Sequence, residues 1–126
     1  METDERHMLA FAILSVESRE RQQIQGELRF LLMTGTASCR AGYAQISRFC
    51  YKRILKLNPH HMLSKSPSLE EALKSEDFRT LISRLDRFCT YEHAEMLLEK
   101  HRPGWESEPY EEFEKHCLEI LKQNLN

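Results

Sequence analysis

The stretch "DERHMLAFAILSVESRERQQIQGELRFLLM", residues 4–33, decides the fold class. Leu9, Ile13 and Val16 recur at helical spacing, and Ile24, Leu28 and Leu31 resume the stripe after the polar run "ESRERQQ". A half-buried strand would alternate apolar and polar at every second residue, and no part of the chain sustains that pattern. The spacing predicts helix over 4–33, with Gly26 as the point where it divides in two.

On its C-terminal side, "TGTASCRAG" (34–42) is a cluster of Gly, Ser and Thr that reads as a loop, with Thr36 or Ser38 as the cap of the next helix. That helix is expected over 39–57, because Tyr43, Ile46, Cys50, Ile54 and Leu57 keep one face apolar. Asn58-Pro59 ends it, since the residue before a proline is steered away from helical angles. In "SKSPSLEEALKS" (64–75), Ser66 can cap, Pro67 suits the first helical position and Ser68 to Glu71 has capping-box spacing, giving a helix over 67–74. Phe78, Leu81, Ile82, Leu85 and Phe88 form the next stripe, and Thr90 can cap a segment containing Tyr91, Ala94, Leu97 and Leu98. "HRPGWESEP" (101–109) is a loop, after which Ser107 can cap a last helix with Tyr110, Phe113, Cys117, Ile120 and Leu121 on one face. With 126 residues and only four Gly and four Pro, the expectation is a single helical domain over 1–126, an all-α compact bundle of five to seven helices.

Three acids precede the apolar run Met8–Leu14, which is too short for a membrane span and lacks the basic start of a secretory signal. Cys39, Cys50, Cys89 and Cys117 are widely spaced among helical patterns, which suits packed, reduced thiols in the cytoplasm or nucleus rather than a disulfide frame.

The net charge of -2 hides a sorted distribution. Residues 28–69 carry seven basic side chains and no acidic one, whereas the C-terminal stretch is rich in Glu. Arg48, Lys52 and Lys56 are spaced by four and make one row on the helix expected over 39–57, with Arg53 and Tyr51 at its edges. Such a row attracts phosphates or acidic proteins and speeds their encounter. Two structural readings compete with that one: a merely solvated face, or a face paired with Glu111, Glu112, Glu114 and Glu119 of the same chain. A sequence pI near 6.3 and the lack of any recognised nucleic-acid motif rank nucleic acid below an acidic or helical protein as the partner.

His60, His61, His93, His101 and His116 lack the paired Cys or His spacing of structural zinc, so no metal and no cofactor is expected. No phosphate-cradling Gly-rich loop, nucleophile turn or HExxH is present, and Glu70-Glu71 and Glu111-Glu112 sit where first helical turns favour negative charge. A catalytic role is not expected; an enzyme would have to assemble from distant groups such as His60, His61 and Cys39. Trp105, the only tryptophan, is either an exposed interface anchor beside Tyr110 or a plug folded back onto the bundle.

From Ser66 to Leu121, "SLEEALKSEDFRTLISRLD", a further helix and "EPYEEFEKHCLEIL" resemble the helical C-terminal tail of HIT-type zinc-finger proteins, assembly factors of box C/D small nucleolar ribonucleoproteins. In such tails a Leu-rich helix ending in Leu-Asp is followed by Glu-Pro and a Cys-Leu helix. The family's zinc-binding cysteines are absent here, and residues 1–60 have no counterpart in it. The resemblance implies a helical module that holds an assembly partner, with Phe113, Cys117 and Leu121 facing that partner or the core. The combined expectation is a non-catalytic helical adaptor or assembly subunit acting through protein contacts at Arg48, Lys52, Arg53, Lys56 and Trp105. The alternative is a nucleic-acid-associated protein using the same basic face.

Overall fold

In the computed structural model, which describes residues 3–125, Thr3–Glu20 forms the first helix, α1. Its apolar run is covered on every side: Met8 through Val16 are all buried, including Ser15, whose hydroxyl donates to the carbonyl of Ala12. A helix apolar all round belongs at the centre of a packed structure. The second helix, α2 (Ile24–Ala41), lies against it as the other half of a central hairpin.

The division between them falls at Arg21–Gln23 rather than at Gly26. Gln22 takes the left-handed conformation, φ 57°, its N–H donates to Arg19 O, and the N–H of Gln23 reaches back to Ser18 O at 2.8 Å. This pairing closes the helix end by satisfying its last carbonyls. Gly42, φ 81°, repeats the device at the end of α2, with Tyr43 N–H on Ser38 O.

The loop expected at 34–42 is instead the last two turns of α2. Thr34, Thr36 and Ser38 turn their hydroxyls onto the carbonyls of Phe30, Leu32 and Gly35, so each polar group is satisfied inside the helix and none acts as a cap. Gly35 stands where neighbours come closest: a Cβ there would lie 2.4 Å from Leu69 Cδ1 and 3.2 Å from Cys50 Cβ.

α3 (Ala44–Leu57) packs on α2 and ends before Pro59 as expected, burying Ile46, Ser47, Cys50 and Ile54. A 3₁₀ turn, Met62–Lys65, plugs Leu63 inward. The helix expected over 67–74 contracts to α4 (Leu69–Ala72), and its cap is Ser68, not Ser66: the Ser68 hydroxyl accepts from Glu71 N–H, whereas Ser66 closes the 3₁₀ turn. α5 (Glu76–Phe88) and α6 (Tyr91–His101) rest on α2 and α1 respectively, capped by Ser75 and, as expected, by Thr90. α7 (Phe113–Leu121) begins later than Ser107 would set it and fills the space between α1 and α3. Phe113, Cys117 and Leu121 all face the core. Seven α-helices and no strand occur among the described residues, and the architecture is an all-α bundle. The helices of the 66–121 segment pack on α1 to α3, so that segment has no core separate from theirs.

Candidate functional site

The apolar face of α3 is turned onto α2, and this leaves Arg48, Lys52 and Lys56 exposed in a row along the opposite side. Among the described residues no carboxylate forms an ion pair with any of the three. The acidic C-terminal helix does not cover the row. Its Glu114 instead accepts the backbone N–H of Gln45 at 3.1 Å, at the start of α3. Arg48 and Lys52 line one wall of a groove of about 330 Å³ whose other wall is Pro67, Ser68, Leu69 and Glu70. Tyr51 crosses its end, donating its hydroxyl to the carbonyl of Ser66 at 2.6 Å. The one carboxylate of that lining, Glu70, accepts the Ser47 hydroxyl at 2.8 Å.

Arg53 does not extend the row. Its side chain is only 13% exposed, and its Nε donates to Glu27 Oε2 at 2.9 Å. The same oxygen accepts Arg19 Nε at 2.8 Å. Arg19 also places Nη1 2.7 Å from the carbonyls of Leu121 and Gln123, so that it holds the end of α7, while its Nη2 is buried without a hydrogen-bond partner. One buried carboxylate thus joins α1, α2 and α3, and one arginine extends the join to α7. Both of these roles require partners at least eight residues away, which is why helical spacing along α3 gave no sign of them.

Trp105 is not an exposed anchor. Its ring is 4% exposed, Nε1 donates to Glu99 at 3.1 Å, and the Arg6 guanidinium lies over it at 5.6 Å. It plugs the bundle where the loop after α6 folds back, and it drops out of the candidate contact residues for that reason. Large apolar groups that do face solvent include Phe88, 70% exposed with Arg29 stacked 4.7 Å from its ring centroid, Met96, 64% exposed, and Ile24, 54% exposed.

Burial, reinforced by Glu70, pushes the Cys39 thiol up to about 12. Burial, with a smaller contribution from Glu114, drives Cys117 up to about 12, and burial holds Cys50 well above the usual thiol range. All four thiols are free. His61 uses Nδ1 to accept the N–H of Leu63, and its burial lowers its pKa. No group of three or more His, Cys, Asp or Glu side chains able to hold a metal occurs among the described residues. No helix of the described residues is long and apolar enough to cross a membrane.

Comparison of the chain with models of protein families, with curated proteins and with solved structures finds no match.

Proposed function

We propose that the protein is a non-catalytic helical adaptor or assembly subunit that receives an acidic, helical segment of another protein on the outer face of α3, inside the cell. The observation that carries this reading is the unpaired row Arg48, Lys52 and Lys56 beside a groove that Tyr51 and the exposed Pro67 help to line. Charge on the row sets the rate and orientation of encounter, and the groove supplies the area that holds the partner. The assembly-factor role implied by the resemblance of residues 66–121 is of the same kind.

The test is capture from cell lysate with the wild-type protein and the Arg48→Glu, Lys52→Glu variant in parallel, with nuclease-treated controls and two salt concentrations. Under this reading an acidic protein survives nuclease and is lost in the variant. Equal recovery by both proteins would sink the proposal. A second reading, binding to phosphate backbones of nucleic acid through the same row, is supported by the absence of acids over 28–69. It requires recovery that vanishes with nuclease and binding that falls linearly on a log–log plot against salt.

A further inference from the structure

We propose that Ser68 is a phosphorylation site, and that its phosphate is held across the groove by Arg48 and Lys52. The three side chains line the same groove, with Ser68 on one wall and the two cations on the other. Both cations are exposed and lack a carboxylate partner among the described residues, so each is available to a new anion.

The backbone around Ser68 suits a kinase. Ser66 (φ -122°, ψ 147°) and Ser68 (φ -161°, ψ 168°) are extended, in a segment between a four-residue 3₁₀ turn and a four-residue helix. Kinases bind their substrates as extended chain, and Ser68 is half-exposed beside the exposed Pro67 and Glu70. Glu70 and Glu71 stand two and three residues after Ser68, the placement that acidophilic serine kinases select. The kinase transfers the γ-phosphoryl group of ATP to Ser68 Oγ. The new P–O bond forms as the bond to the β-phosphate oxygen breaks, ADP leaves, and the hydroxyl proton passes to the base of the kinase.

The product carries a charge of about -1.5 to -2 at neutral pH and three acceptor oxygens, enough to engage two cations at once. Glu70 shares the groove, but its Oε2 is occupied by the Ser47 hydroxyl. A phosphate there takes up the cations that an acidic partner would use, so modification switches docking off. That consequence rests on the proposed function, whereas the pairing itself does not.

Two measurements test the pairing without any partner. The full chain is incubated with a purified acidophilic serine kinase and ATP, and phosphate is mapped by peptide mass spectrometry; the expected position is Ser68. Separately, phosphoserine is placed at position 68 by genetic encoding and titrated by ³¹P NMR, in the wild-type chain and in an Arg48→Gln, Lys52→Gln background. The second phosphate ionisation is expected about one pH unit lower in the wild-type chain than in the Gln background, where the nearby cations are gone. Circular dichroism confirms that both chains are folded. Absence of phosphate from Ser68, or the same titration in both backgrounds, overturns the proposal. Normal pairing with no effect on capture of an acidic protein would instead count against the docking reading alone.

Discussion

Arg19 and Glu27 lie on consecutive helices, and Nε of the arginine donates to Oε2 of the glutamate at 2.8 Å, an oxygen that Arg53 shares at 2.9 Å. Both arginines are largely withdrawn from water, and Glu27 is 2% exposed. Burial of charge is tolerable only while each group keeps its counter-charge. Glu27→Gln is therefore expected to cost about 3–5 kcal/mol, because it leaves two arginines without an anion. Replacing Arg19, Glu27 and Arg53 together by Met, Leu and Met should cost less than that single change. Urea unfolding followed by helical circular dichroism measures both, and a Glu27→Gln loss below about 1 kcal/mol would show the network to be dispensable.

The two helix ends closed by a left-handed residue make opposite predictions. Gln22 adopts φ 57° with a side chain that glycine lacks, whereas Gly42 adopts φ 81° without one. A non-glycine residue pays about 1 kcal/mol for this conformation. Gln22→Gly is expected to raise stability by about 0.5–1 kcal/mol and Gly42→Gln to lower it by about 1 kcal/mol, both read from urea midpoints at constant slope. Changes of the same sign in the two variants would contradict the account.

His7 and His61 give the fold a direction of pH dependence. Burial lowers the pKa of each below 6.5; for His7, Asp4 opposes the shift and Arg40 adds to it. The unfolded chain then binds protons more readily than the folded one as the pH drops past 6.5, so the associated stability is full above that value and is lost below it. Protonation of His61 would also remove the Nδ1 acceptor that holds Leu63 N–H. The melting temperature is expected to fall between about pH 7.5 and about pH 5.5, and to fall less in the His7→Gln, His61→Gln variant. Parallel melting curves for the two proteins across that range would exclude these imidazoles as the cause.

Thiol chemistry offers a check on the buried cysteines. With Cys39 pushed up to about 12 and Cys50 and Cys117 sealed in the core, little thiolate exists near neutral pH. Alkylation by iodoacetamide in native buffer is expected to run about a hundredfold or more slower than for a free cysteine peptide, and to become complete at all four positions in urea. Rapid native labelling of Cys39 would reveal an activated thiol and favour an enzymatic role.

Helix content was legible because the stripes of α3, α5 and α7 each repeat at 3.6 residues, and the caps Thr90 and Ser68 carry the residue types that such ends require. The 34–42 segment was misread because Thr, Ser and Gly are weak helix formers in isolation, and only tertiary packing favours helix there. Its hydroxyls close onto the preceding turn, and Gly35 admits Leu69 and Cys50. The basic row was legible from spacing by four, since an exposed face depends only on its own helix. The place of Arg53 was not, because Glu27, which fixes it, lies far off in the sequence, whereas for Trp105 the sequence offered both plug and anchor, and its contacts with Glu99 and Arg6 decide for the plug.

The central position of α1 also bears on how the chain is made. Its apolar surface is completed by α6 and α7, and Arg19 waits for a carbonyl 102 residues further along. At a synthesis rate of about 5–20 residues per second, roughly 5–20 s separate the emergence of α1 from the ribosome from that of its last cover. For much of that interval the most apolar segment of the protein has only its hairpin partner for cover. A chain stalled before α7 is therefore expected to leave part of the buried surface of α1 uncovered.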